Sequence, residues 1–315
     1  MSTVSMVLNL KNYLMENSIS SFSEAHLEHT VMLLIEKDTC NARPQFQPKF
    51  MLNGGQPGVG KSMLNNTSML SVANNGVIIN GDNYRVFHPN ILAIQKEPGN
   101  FVKHTKDFAE AVAAKMFDHC IKSRYNIIME TTLQNTDLVC NTFNYMKSIG
   151  YSTQLNVLAA NNIVSTIGIN IRYEKEQLNG FGRMVSAAEH DYRYEKIPVT
   201  LAKIEKMDHR KNFDDINIYK RDYVTNHNSV EKTMNIKAQN PNNLVNTYLE
   251  LRNEPVTKIE ARYLIEKLGE AQKLQSLRNA PEEQKKGLIA CKNFLTAQLE
   301  KPVNNSLHIT KQIER

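Results

Sequence analysis

Gly55-Gln56-Pro57-Gly58-Val59-Gly60-Lys61-Ser62 fits the pattern GxxxxGK[ST], and no other stretch constrains the chain as strongly. Glycines let successive backbone N–H groups curl around a phosphate, while the helix that follows points its positive dipole end at the same anion. Lys61 is placed to neutralise the outer phosphates, and the Ser62 hydroxyl to ligate Mg²⁺. Glycine is scarce, 13 of 315 residues, so three in such a spacing carry weight. The context agrees. Lys49 to Asn53 is an apolar run suited to a buried strand, and Ser62 to Ala73 lacks Gly and Pro and carries Met63, Leu64, Met69, Leu70 and Ala73, as a helix does.

The rest of the chain repeats this alternation of strand and helix. Val77-Ile78-Ile79 reads as a second buried strand, closed by Asp82; Thr105 to Lys122 is a helix with Phe108, Val112, Met116 and Cys120 in steps of four. Asn126 to Glu130 is a third strand ending on a carboxylate, followed by Thr131 and Thr132. Asp137 to Ile149 is a helix, Tyr151 to Ala159 a strand and Asn162 to Gln177 a helix. Asn179-Gly180-Phe181-Gly182 interrupts it ahead of Arg183. Pro198 is expected to end the next helix, Val199 to Met207 to form another, and Asp215 to Tyr219 a fifth strand. The fold class is α/β, a mostly parallel, doubly wound sheet flanked by helices. In such a sheet ligands gather at the carboxyl ends of the strands, which brings Asp82 and Glu130 towards the loop. Asp82 is then a general base or a Mg²⁺ ligand, and Arg172 and Arg183 are candidate cations over a transferring phosphate.

Three regions are expected: a helical segment over 1–48, a core over 49–225 and a helical extension over 226–315. Ser21 to Glu36 offers Phe22, Ala25, Leu27, Val31, Leu34 and Ile35 as a packing face, and the extension offers Val256 to Ser276 and Pro281 to Glu300 as helices, with Leu264, Leu268, Ala271 and Leu274 as an apolar stripe. The net charge of +6 sits mainly in the tail, where 256–315 hold 11 Lys plus Arg against 7 acidic residues. Acidic residues interleave there, so solvated helix faces are expected rather than a nucleic-acid or membrane patch. Cys40, Cys120, Cys140 and Cys291 lie far apart with no CxxC pair, which favours a reducing compartment over a zinc site or disulfide framework. With no secretory pattern and no long apolar run, the expected location is cytoplasm.

Several segments together resemble the zeta toxins of epsilon/zeta toxin-antitoxin systems, P-loop kinases of UDP-N-acetylglucosamine. The resemblance runs from about Phe50 to Arg221. It rests on the phosphate loop, Ile79-Asn80-Gly81-Asp82-Asn83-Tyr84-Arg85, His88-Pro89-Asn90, Val102-Lys103-His104, Glu130 with Thr132, Ile171-Arg172-Tyr173-Glu174, Gly182-Arg183, His190-Asp191 and Ile197-Pro198, all in the family's order. It implies that ATP and Mg²⁺ are bound through Gly55 to Ser62, with Lys61 on the nucleotide and Ser62 on the metal. It further implies Asp82 as the base on the amino-sugar 3′-hydroxyl, Glu130 and Thr132 as sugar-nucleotide contacts, Arg172 and Arg183 as a phosphate clamp, and a small helical antitoxin as partner. Two positions depart from the family pattern on the acceptor side: Thr131 stands where glycine is usual and Gln134 where arginine is. The residues alone leave two other readings open, a kinase of another small molecule (a nucleotide, a dinucleotide cofactor or an antibiotic) and a nucleotide-gated binding module without turnover.

Overall fold

A computed structural model describes residues 18–96, 98–178, 182–206, 210–226 and 229–300. In chain order the elements are α1 (Glu24–Asp38), β1 (Lys49–Gly54), α2 (Lys61–Ser71), β2 (Val77–Ile79), α3 (Gly81–Tyr84), α4 (Ile91–Ile94), α5 (Phe101–Lys122), β3 (Ile127–Thr131), α6 (Thr136–Ser148), β4 (Ser152–Leu158), α7 (Asn162–Gln177), α8 (Ala187–Glu205), β5 (Asp215–Asn226), β6 (Ser229–Gln239), α9 (Leu244–Asn253), α10 (Lys258–Leu277) and α11 (Glu282–Glu300). They build one six-stranded sheet in the order β2-β3-β1-β4-β5-β6. β1 to β5 pair in parallel and β6 closes the edge antiparallel to β5, so the expected α/β sheet is present and mostly parallel. β1 lies between β3 and β4, which aligns the carboxyl ends of three strands beside the phosphate loop.

The two faces of the sheet differ in chemistry because side chains alternate along each strand. Phe50 and Leu52 of β1, Leu155 and Val157 of β4 and Ile216 and Ile218 of β5 share an apolar core with Phe108, Val112 and Met116 of α5 and Ile197 and Leu201 of α8. The opposite face carries Asn53, Asn156 and Asn217, in register across three strands and at most 3% exposed. These amides bond to one another: Asn217 Nδ2 donates to Asn156 Oδ1 at 3.2 Å, and Asn156 Nδ2 to Asn53 Oδ1 at 2.8 Å. Asn53 Nδ2 in turn donates to Asn65 Oδ1 of α2 at 2.8 Å and to Ser68 Oγ at 3.0 Å. Asn156→Ala strands the side-chain nitrogens of Asn217 and Gln154, and each unmet buried polar group costs about 1–3 kcal/mol. The expected loss is on the order of 3 kcal/mol, read from the denaturant midpoint; an unchanged midpoint would show the ladder to be dispensable.

Pro198 does not end a helix. α8 runs through it to Glu205, because the Tyr194 carbonyl that an amide at 198 would have bonded accepts instead from Arg252 Nη1 at 3.0 Å. The Arg252 guanidinium also lies 3.9 Å over the Tyr194 ring centroid. The fifth strand runs past Tyr219 to Asn226, and the region expected to be wholly helical begins with β6. Residues 1–17, the interruption at 179–181, Met207 and residues 301–315 lie outside the described residues.

At the N-terminus, α1 buries Leu27, Val31 and Leu34 in the main core, whereas Ala25 is exposed. At the other end α10 and α11 occur where helices were expected. Thr257 Oγ1 caps α10 by accepting from the Glu260 amide at 3.1 Å. Leu264, Leu268 and Ala271 pack not on the sheet but on Val164 and Ile167 of α7, in a separate core with Leu288 and Leu295 of α11. Leu274 is half-buried. The buried Glu174 carboxylate of α7 fixes this arrangement, accepting from Arg278 Nε at 2.8 Å, Arg278 Nη2 at 2.9 Å and Gln275 Nε2 at 3.0 Å.

Candidate active site

After β1 the chain turns through Gly58 at φ 76° and Gly60 at φ 101°, left-handed backbone that favours glycine, and enters α2 at Lys61. The loop is seated against α7 more closely than any side chain allows: a Cβ on Gly58 would lie 2.1 Å from the Ser165 carbonyl oxygen, and one on Gly168 2.2 Å from the Gly58 oxygen. Gly55, Pro57 and Val59 are buried beneath it. Gln56 Nε2 donates to the Ala160 carbonyl at 3.0 Å and to Ser165 Oγ at 3.3 Å, while Ser165 Oγ also meets His190 Nε2 at 2.9 Å. His190 thereby ties α8 to the loop. Lys61 Nζ donates to the carbonyls of Gly55 at 2.9 Å and Gln56 at 3.2 Å. Desolvation pushes its pKa down to about 8, against the opposing pull of Glu130 and Asp82. The Ser62 side chain stands exposed at the start of α2.

The two candidate carboxylates occupy different surroundings. Glu130, near the end of β3 and half-buried, accepts from Asn65 Nδ2 of α2 and so terminates the amide ladder that begins at Asn217. Thr132, also half-buried, follows just past the strand. Asp82 lies in α3, where the Asn80 side chain caps the helix by accepting from the Asp82 amide at 3.0 Å. Burial alone would raise the Asp82 pKa, but Arg183 and Arg85 outweigh it and hold the carboxyl down at about 2. Arg183 Nη1 lies 2.6 Å from Oδ2 and Arg85 Nε 2.9 Å from Oδ1.

Arg183 also reaches Glu176, Nη2 to Oε1 at 3.2 Å, and Glu176 Oε1 lies 3.7 Å from Arg172 Nε. The order Asp82, Arg183, Glu176, Arg172 is therefore one continuous row of charge leading from α3 to α7. Sequence reasoning singled out three of its members and missed Glu176, whose place four residues after Arg172 on one helix was the available signal. Arg85 was likewise legible as a partner three residues from Asp82. Arg193 of α8 had no such local signal; it donates from Nε to Gln134 Oε1 at 3.1 Å, on the side where Thr131 and Gln134 depart from the family pattern.

Glu176 lines two cavities. One, of about 560 Å³, is walled by Gly58, Gly60, Lys61, Ser62, Glu130 and Arg172; the other, of about 420 Å³, by Asp82, Asn83, Phe87, Phe101 and Arg183. Both fall in or near the size range of small-molecule sites. A larger open cleft of about 1020 Å³ between α6 and α8 contains none of these residues. Among the described residues no group of three or more His, Cys, Asp or Glu is arranged to hold a metal ion. Ser62, Glu130 and Glu176 line the loop cavity and carry oxygens of the kind that Mg²⁺ takes, usually one or two from the protein together with substrate phosphates.

Comparison with known proteins agrees with the order of these segments. The family model described as zeta toxin matches residues 34–231, more than half of the chain. This chain belongs to the zeta toxin family. Among curated zeta relatives it is similar to toxin PezT of Streptococcus pneumoniae serotype 4, 29% identical over 218 residues that cover 68% of this chain and 85% of PezT. It is also similar to toxin zeta of Streptococcus agalactiae, 27% identical over 217 residues, 68% of this chain and 75% of that one. Its structure resembles a solved chain from work on the PezAT chromosomal toxin-antitoxin system of Streptococcus pneumoniae, with a TM-score of 0.70 and 25% identity, covering 82% of this chain and 99% of the other. The zeta family model stops at 231, so most of β6 and all of α9 to α11 lie beyond it. Among the described residues no helix is long and apolar enough to cross a membrane.

Proposed function

We propose that this chain is a kinase that transfers the γ-phosphoryl group of ATP to the 3′-hydroxyl of the amino sugar of UDP-N-acetylglucosamine or a related sugar nucleotide. The observation that carries the reading is the row of charge from Asp82 to Arg172, which runs between two cavities that share Glu176, one holding the phosphate loop and the other the candidate base. Family membership supports it.

In this reading Lys61 and the loop amides hold the β- and γ-phosphates. Mg²⁺, bound through Ser62 and the phosphates, supplies charge neutralisation there. Asp82 accepts the proton of the acceptor hydroxyl, the hydroxyl oxygen bonds to the γ-phosphorus, the bond from phosphorus to the β–γ bridging oxygen breaks, and ADP leaves. Arg183 is paired with Asp82, and in this reading its transfer to the phosphoryl group both clamps the donor and releases the base. Thr131 and Gln134, the latter accepting from Arg193 Nε, depart from the family pattern at positions the resemblance assigns to the acceptor side, which favours a relative of the family's sugar nucleotide over a strict copy of its site. The product stalls cell-wall precursor synthesis in the cytoplasm, and a small helical antitoxin protein is the partner; the similar PezAT chain belongs to a toxin-antitoxin system.

Arg172→Ala and Arg183→Ala are expected to lower kcat more than they weaken ATP binding, since a clamp on the moving group acts mainly in the transition state. Steady-state turnover beside equilibrium nucleotide binding checks this. A fall in affinity with kcat intact would make both arginines ground-state ligands. ATP turnover that rises on addition of UDP-N-acetylglucosamine tests the function itself; ATP binding without turnover on any acceptor would favour the nucleotide-gated binding module.

A further inference from the structure

The loop cavity has a wall outside the phosphate-loop motif, and most of that wall lies beyond the family model. This wall is formed by Arg221 of β5, Lys232 of β6, and Tyr263, Leu264 and Lys267 of α10. Lys232, Tyr263 and Lys267 lie beyond residue 231, where the zeta match ends. Most of this wall therefore belongs to the part of the chain that the sequence marked as a helical extension.

Its chemistry is that of a nucleotide site. The Arg221 guanidinium approaches the loop so closely that a Cβ on Gly60 would lie 3.6 Å from its Nη1. Arg221 Nη2 is buried and has no hydrogen-bond partner among the described residues, although a buried donor left unpaired is costly. A phosphate oxygen held over Gly60 is the acceptor this nitrogen lacks. Tyr263 lines the same cavity, with Lys232 Nζ and Lys267 Nζ each over its ring at 5.6 Å from the centroid. Aromatic rings support bases by stacking, and ammonium groups beside such a ring suit the phosphates attached to the same nucleoside.

The wall is also fixed relative to the loop. α10 packs through Leu264, Leu268 and Ala271 on α7, and α7 is seated on Gly58 through Gly168. The Glu174–Arg278 pair locks the far end of α10 to α7. Loop, α7 and α10 form one packed stack, so a base resting on α10 is held in register with phosphates resting on the loop.

We propose that β5, β6 and α10 form the outer wall of the nucleotide site, with Arg221 on the phosphates over Gly60, Tyr263 as the platform for the base, and Lys232 and Lys267 on the inner phosphates. This rests on the nucleotide-binding part of the proposed function and is independent of the acceptor.

The test is calorimetric titration of the full-length chain, without acceptor, using Mg·ATP and inorganic tripolyphosphate as separate probes, with a thermal melt of each variant. Arg221→Ala is expected to weaken both probes by about tenfold or more, the range for losing a charge-assisted hydrogen bond. Tyr263→Ala is expected to weaken ATP by about tenfold and leave tripolyphosphate unchanged, as loss of a stacked base requires. Tyr263→Phe restores ATP binding because the ring, not the hydroxyl, bears the base. Wild-type ATP affinity in Tyr263→Ala, or equal loss of both probes with a lowered melt, overturns the platform; unchanged affinities in Arg221→Ala overturn the phosphate contact. Lys61→Ala separates the two levels of the argument. If the wild-type chain binds neither probe, the nucleotide reading itself falls; if binding depends on Lys61 but not on Arg221 and Tyr263, only this inference falls.

Discussion

Lys61→Ala abolishes phosphoryl transfer and any growth arrest the protein causes, while the fold persists. Among the described residues the Lys61 ammonium donates to the backbone carbonyls of Gly55 and Gln56 and to no side chain, so its removal leaves no buried side chain without a hydrogen-bond partner. What is lost is a preorganised cation on the outer phosphates, worth about 10²–10³-fold in kcat when a single such donor is deleted. Circular dichroism and turnover together check the expectation; retained turnover would remove the phosphate loop from the mechanism. Lys61 adds a pH signature. Desolvation lowers its pKa to about 8, so above that pH the free protein carries it increasingly neutral, and a bound triphosphate draws the proton back. Nucleotide binding is then coupled to proton uptake at pH 9, affinity falls as pH rises beyond 8, and the uptake disappears in Lys61→Ala. Calorimetry in buffers of different ionisation enthalpy measures it directly.

Asp82→Asn has the second large effect and separates two roles that the strand-end position alone leaves open. Asparagine keeps size and reach but cannot take a proton, so loss of a base lowers kcat by about 10²-fold or more with nucleotide affinity nearly unchanged. Loss of a Mg²⁺ ligand instead weakens Mg·ATP binding, and added metal restores part of the rate. The geometry favours the base. Asp82 lines the cavity beside the loop rather than the loop cavity itself. A metal titration that brings Asp82→Asn back towards the wild-type rate would overturn the assignment.

What could be read in the sequence was what is encoded locally. Gly58 and Gly60 announce left-handed turns, the runs around Phe50, Ile127 and Leu155 announce strands buried on both faces, and the four-residue steps of α5 announce a helix on the sheet. Local signals misled at Pro198, where the missing amide is compensated by Arg252 from a helix more than fifty residues away. They were faint at β6, an edge strand in which Glu231, Lys232 and Lys237 mask the alternation of Val230, Met234, Ile236 and Ala238, and in which Met234 alone is fully buried. The amide ladder was invisible for a different reason. Asn53, Asn156 and Asn217 are unremarkable one at a time and gain meaning only from strand register. Arg221 and Tyr263 reach the loop for the same kind of reason, through the packing of α10 on α7 and not through any spacing along the chain.

The most direct measurement of the central claim is ATP consumption by the purified protein against a panel of sugar nucleotides, nucleotides, dinucleotide cofactors and aminoglycosides, with mass spectrometry of the product. The expected result is Mg²⁺-dependent conversion of UDP-N-acetylglucosamine, or a close sugar-nucleotide relative, to a species one phosphoryl group heavier, with the new phosphate on the amino-sugar 3′-oxygen and no product from Asp82→Asn. Phosphorylation confined to a nucleotide, a cofactor or an antibiotic, or ATP binding with no phosphorylated product from any acceptor, would contradict it.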